Sequence, residues 1–201
     1  MNLNKLIEIG ERARGEEVYP NPLFPPSIYY RFFKLLAEEV KPKLSVVLGV
    51  CGGGDCLHIA LGNPQGAVIG VDIAYDHPEQ LEYIKSTCPN FRFELGDSVA
   101  SAKSIYNRFG LVNILFIDTA HEFGLTLSEF NAYKPYLSFG AIVCFDDLFR
   151  PGMEDAWDQI PEPKVRMDWL HDGTYPHGGG FGVFINQSNP KIPPTDYEIG
   201  N

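Results

Sequence analysis

A chain of 201 residues with 44% hydrophobic and 21% charged residues is long enough to close one domain around a sizeable core. Its 26 acids against 16 bases give a net charge of −10. A surface of that sign repels phosphate backbones and speaks against a nucleic-acid substrate. No apolar run nears the roughly 20 residues needed to span a bilayer, so no membrane partner is expected. The opening MNLNKLIEIGERARG lacks the apolar stretch of a secretion signal. Cys51, Cys56, Cys88 and Cys144 show no metal-ligand spacing and fall in or beside apolar segments. They read as reduced thiols of a cytoplasmic protein.

In chain order, residues 1–14 fit a short amphipathic helix with Leu3, Leu6 and Ile7 on one side. YPNPLFPPS carries four prolines and reads as an extended arm. Ser27 then caps a helix, IYYRFFKLLAEEV, which stops before Pro42. From residue 44 strands and helices alternate. Strands are expected at 44–49, 67–72, 91–95, 111–117 and 140–145, with helices at 55–62, 78–87, 98–108 and 123–137. A helix at 152–160 precedes strands at 164–169 and 181–185. The strands are continuous apolar runs, as in a parallel sheet covered on both faces. Three parts follow: an arm and helix over 1–43 that can cap a substrate, a ligand-binding domain over 44–186, and a polar tail over 187–201.

The sharpest signal is LSVVLGVCGGG, residues 44–54. A buried strand ends at Gly49, turns through Gly52, Gly53 and Gly54, and opens the helix that begins DCLHIAL. Such a turn presents backbone amides to a nucleotide-like ligand. The next strand, AVIGVD, ends in Asp72, an acid placed to hold both hydroxyls of a ribose. Ligands in an open parallel sheet sit outside the C-terminal ends of the strands. Those tips read Gly49 to Gly54, Asp72, Gly96-Asp97-Ser98, Asp118 to His121, and Asp146-Asp147. Each acid alone also reads as a helix cap or a solvated turn residue. Asp97 in particular stands where an N-cap belongs, and His121 can satisfy a backbone group at a helix start.

Taken together these tips resemble the class I S-adenosylmethionine-dependent methyltransferases over about residues 44–185. The resemblance implies a doubly wound Rossmann-like α/β fold with a mostly parallel seven-stranded sheet whose last strand is antiparallel. It implies that Gly49, Cys51 and Gly53 approach the methionine part of the cofactor, Asp72 its ribose and Asp97 its adenine. Ser98 and Asp118 complete that set. The chain departs from the family pattern at Val47, where an acid is common, and at Cys51, where glycine is usual.

FIDTAH (116–121) and VCFDDLF (143–149) resemble the small metal-dependent O-methyltransferases, of which catechol O-methyltransferase is the familiar example. The resemblance implies that Asp118, Asp146 and Asp147 hold a divalent cation. Three carboxylates suit a hard ion such as Mg²⁺. The branch often carries a lysine base three residues after the first acid. His121 stands there and can accept a proton near neutral pH. The expected activity is methyl transfer to a hydroxyl of a small molecule. His171 and His177 flank the loop HDGTYPHGGGFG, and His177 is a candidate acceptor contact. Tyr29, Tyr30, Phe32 and Phe33 either cap the pocket or belong to the core. A nicotinamide-dependent oxidoreductase and a non-catalytic binder on the same fold are the rival readings. A homodimer stays open.

Overall fold

The computed structural model describes residues 1–15, 23–24, 26–171 and 179–192. The helices are α1 (Leu3–Gly15), α2 (Ile28–Val40), α3 (Gly54–Gly62), α4 (Pro78–Thr87), α5 (Ser98–Phe109), α6 (Phe123–Tyr133) and α7 (Met153–Asp158). The strands are β1 (Leu44–Leu48), β2 (Ala67–Asp72), β3 (Phe91–Leu95), β4 (Val112–Ile117), β5 (Leu137–Phe145), β6 (Lys164–Arg166) and β7 (Gly182–Ile185). They form one sheet in the order β3-β2-β1-β4-β5-β7-β6. β1 to β5 run parallel, and β7 runs antiparallel to both β5 and β6. The expected doubly wound sheet with an antiparallel last strand is therefore present.

Two apolar layers cover the sheet. Leu6 and Ile9 of α1, Phe32 and Phe33 of α2, Ile59 of α3 and Ile84 of α4 pack against Val47, Phe116 and Val183. Ile105 of α5, Phe130 and Tyr133 of α6 and Trp157 of α7 pack against Val46, Leu115 and Phe145 on the opposite face. Alternate strand residues thus face two different layers, and both must be apolar. That is why β1 is buried at all five positions. The edge strands β3 and β6 carry half-exposed charged residues, which blunts them against pairing with another chain.

Local signals fix the helix ends. Ser27 Oγ accepts the N–H of Tyr29 at 3.2 Å and caps α2, and Lys41 closes it in the left-handed region before Pro42. In α1 the buried stripe is Leu6, Ile9, Gly10 and Ala13 rather than Leu3, Leu6 and Ile7. Gly10 belongs to it because a Cβ there would meet Trp169 at 2.4 Å. The helix expected over 123–137 ends at Tyr133. Pro135 lies in a 3-10 turn over Lys134–Tyr136, and β5 starts at Leu137, paired with Val112. Pairing to β4 rewards extension of a segment that helical periodicity alone would continue. The strand expected at 164–169 is cut to three residues, and Asp168–Leu170 form a 3-10 turn.

The strand order reverses between β1 and β4, since the chain leaves β3 at one edge and returns beside β1. The crevice for a ligand opens there. The backbones approach closely at that point: a Cβ on Gly49 would lie 2.0 Å from the carbonyl oxygen of Asp118, and Gly49 has φ +82°. Only glycine meets both demands.

Candidate active site

The turn after β1 is held from β2. Asp72 Oδ2 accepts the N–H groups of Val50 at 2.8 Å and Cys51 at 3.0 Å, while Oδ1 accepts from Ala74 at 3.1 Å. Gly53 donates to the carbonyl of Val50 at 2.7 Å and, at φ +75°, leads into α3. Cys51 is exposed at φ +46°. Gly54 is pressed by Tyr30, whose ring would lie 2.3 Å from a Cβ. Tyr30 in turn stacks on His58 at 5.1 Å between ring centroids. The second helix is thus keyed onto the glycine turn.

Further along the sheet edge, Asp97 caps α5 by accepting the N–H of Ala100 at 2.8 Å. Ser98 donates its hydroxyl to buried Glu129 of α6 at 2.5 Å, and Thr119 donates to the same carboxylate at 3.0 Å. Ile73 and Leu95, at the tips of β2 and β3, are 80% and 66% exposed. Such apolar exposure beside Asp72 leaves a face for a flat ligand.

The acids converge on the other side of the turn. The chain leaves β4 at Asp118 and β5 at Asp146, and both side chains border one cavity. Burial and then the charges of Asp146 and Asp55 push Asp118 well above the usual carboxylate range. Asp147, at φ +53°, accepts from Gly179 N–H at 2.7 Å through Oδ1 and from Arg150 Nε at 2.7 Å through Oδ2. His121, at φ +52°, places Nε2 3.4 Å from Asp147 Oδ2 and 3.7 Å from Asp118 Oδ1. Burial holds its ring below the ordinary histidine value, against the pull of the acids. The neutral imidazole can therefore accept a proton at neutral pH. His171 Nε2 lies 2.9 Å from Asp146 Oδ1.

These groups line a cavity of about 380 Å³. Cys51, Gly53, Asp118, His121, Asp146 and Asp147, all singled out from sequence, border it. Gly49, Asp72, Asp97 and Ser98 do not; they lie behind the turn or along the neighbouring strand tips. Among the described residues, three of the four non-glycine residues with positive φ, Cys51, His121 and Asp147, are on the cavity wall. Strain of this kind persists where the surrounding structure enforces it. Among the described residues, the set whose ligand atoms lie mutually within 4.8 Å is Asp146, Asp147 and His171. Asp118 stands beside that set rather than in it.

One wall residue, Asp55, was not expected from the sequence, and Tyr29 was expected only as one of several aromatics at the pocket or in the core. Asp55, in the first turn of α3, is 5% exposed; Oδ1 accepts the N–H of Cys56 at 2.8 Å, but buried Oδ2 has no partner among the described residues. Burial pushes this carboxyl up to about 7. The buried hydroxyl of Tyr29 is likewise unpartnered among the described residues, and burial with the charges of Asp146, Asp118 and Asp55 raises it. An acid in a first helical turn looks like a dipole partner, so Asp55 gave no sign of a cavity, whereas Tyr29 takes the pocket-lining alternative offered for the aromatic stripe. His177 lies outside the described residues.

No sequence-family profile matches the chain, and no curated protein matches it. Solved structures do. The O-methyltransferase from Bacillus cereus in complex with S-adenosylhomocysteine superposes with TM-score 0.65 at 15% identity, over 91% of this chain and 89% of that one. TomG from Streptomyces achromogenes, an O-methyltransferase of tomaymycin synthesis in complex with S-adenosylmethionine, gives 0.64 at 13% identity over 94% and 92%. A methyltransferase from Geobacter sulfurreducens gives 0.58 at 18% identity over 94% and 91%. No helix among the described residues is long and apolar enough to cross a membrane. Nearly the whole chain thus adopts the Rossmann-like fold of S-adenosylmethionine-dependent O-methyltransferases.

Proposed function

We propose that the protein transfers a methyl group from S-adenosylmethionine to a hydroxyl oxygen of a small molecule, assisted by a divalent cation. The observation that carries this reading is the convergence of Asp118, Asp146, Asp147 and His121 on one cavity that opens at the glycine turn. Fold likeness to O-methyltransferases with bound cofactor supports it.

In this reading the turn over 49–54 and Asp72 seat the cofactor, with Asp72 arranging the amides of Val50 and Cys51. Ile73 and Asp97 flank the adenine. The cavity, walled by Tyr29 and Tyr30 of α2, holds the acceptor and keeps water away. His121 takes the hydroxyl proton on its ring. Holding the two reactants in line supplies the largest part of the rate gain.

The residues fit a cation. Several carboxyl groups share one cavity, two of them abnormally hard to ionise, and a carboxylate oxygen and a phenol that have no partner among the described residues border it. Asp146 and Asp147 would hold the ion with Asp118 beside them. When bound, it would lower the pKa of the acceptor hydroxyl and orient it.

Calorimetry with S-adenosylmethionine, S-adenosylhomocysteine and NAD tests the cofactor. Micromolar binding of the first two and none of NAD is expected; the reverse pattern sinks the reading in favour of a nicotinamide enzyme. Release of S-adenosylhomocysteine with a screened set of phenols and alcohols separates an enzyme from a binder.

A further inference from the structure

We infer that His171 is a direct ligand of the cation, with Asp146 and Asp147, and that this makes the site selective for a borderline transition metal over Mg²⁺. The inference rests on the metal-assisted reading above and deepens it.

The geometry of the side chains carries it. His171 Nε2 and Asp146 Oδ1 are 2.9 Å apart. Two ligand atoms on neighbouring vertices around an ion with bonds of ~2.1 Å are themselves roughly 3 Å apart. The pair therefore already has the spacing of two ligands on one centre, and the ion replaces the proton they share. Asp147 adds the third atom within 4.8 Å. Its carboxylate oxygens have lone pairs beyond those used by Gly179 and Arg150.

The histidine is positioned by its chain neighbours. It follows the 3-10 turn Asp168–Leu170 and donates its backbone N–H to Asp168 at 3.1 Å. Asp168 Oδ1 is itself held by Phe181 N–H at 2.8 Å and Arg166 Nε at 2.9 Å. The imidazole ring lies 5.5 Å from the ring of Tyr29. A second, independent feature lies on the same cavity wall: the buried Asp55 Oδ2 has no partner among the described residues.

Ligand chemistry then sets the choice of metal. Carboxylates and water suit Mg²⁺, whereas an imidazole favours ions such as Co²⁺ and Zn²⁺. The sequence-based expectation of an all-carboxylate Mg²⁺ set from Asp118, Asp146 and Asp147 is replaced by two carboxylates and one imidazole. Almost any such site prefers Zn²⁺ to Mg²⁺ by the usual order of stabilities. The diagnostic quantity is therefore how much of the preference His171 supplies.

The test uses the full chain loaded with Mn²⁺ alone and examined by electron spin-echo spectroscopy. The expected result is a nitrogen modulation from one imidazole that persists in His121→Gln and vanishes in His171→Gln. In parallel calorimetry, His171→Gln should weaken Co²⁺ and Zn²⁺ binding about 100-fold or more and Mg²⁺ binding several-fold at most. Mn²⁺ that binds without nitrogen modulation overturns the inference and leaves metal assistance standing. So does a modulation lost only in His121→Gln. No binding of Mn²⁺, Co²⁺ or Zn²⁺ to the native protein overturns both. If His171→Gln fails to fold, the native spectrum and the His121→Gln spectrum still decide the matter.

Discussion

Asp72 Oδ2 accepts the N–H of Val50 at 2.8 Å, so the acid at the tip of β2 organises the glycine turn at the tip of β1. The residue expected to hold a ribose also shapes the amides around it. Its two tasks can be separated by substitution.

Asp72→Ala should weaken S-adenosylmethionine binding by about 2–3 kcal/mol, the usual cost of losing charge-assisted hydrogen bonds. Asp72→Asn keeps an acceptor for Val50 and should lose less. Calorimetry on both variants, with circular dichroism to confirm folding, reads the difference. Unchanged affinity in a folded Asp72→Ala protein removes the residue from the cofactor site.

Chelation addresses the cation. EDTA should abolish turnover, and restored divalent metal should recover it. Asp147→Ala should lose activity and metal dependence together while S-adenosylhomocysteine still binds. Full turnover in EDTA would show that the acids of β4 and β5 serve structure alone.

His121 tests the base. Its ring lies 3.4 Å from Asp147 and on the cavity wall, and general-base catalysis is worth ~10²–10⁴ in rate. His121→Ala should lower kcat by that range with cofactor affinity nearly intact. The substitution also removes a ring from a residue at φ +52°, so thermal unfolding of the variant must be measured beside kcat. Near-native turnover would assign proton removal elsewhere.

Asp55 makes stability depend on pH. Its carboxyl is pushed up to about 7 in the folded chain from an ordinary 3.8. A raised value means that its contribution is fully present below about 3.8 and is lost as pH rises through about 7. Metal-free protein should therefore weaken from about pH 4 to about pH 7. Asp55→Asn should remove that part of the slope and gain on the native chain by a few kcal/mol at pH 8, since each tenfold change in proton affinity is worth about 1.4 kcal/mol. Urea unfolding of both proteins at pH 5 and pH 8 measures it. An equal stability difference at the two pH values would falsify the assignment.

Hydrophobic patterning and turn chemistry were enough to specify the sheet and the glycine turn. Continuous apolar strands such as VVL and ILFI can be buried only between two layers of helices, and Gly49 marks the place where the β1 and β4 backbones nearly touch. The acids at the strand tips were legible for the same reason, because strand direction alone sends Asp72, Asp118 and Asp146 to one edge. What those acids meet was settled by long-range packing. Asp55 reads in sequence as a helix-start acid, and its burial on the cavity wall follows only from the folded chain. His171 is 25 residues from Asp146; the β6–β7 pairing brings it back over β5. Local periodicity carries no information about that return, because it is fixed by pairing between segments distant in the chain. Pairing to β4 likewise turned residue 137, expected at the end of a helix, into the start of β5.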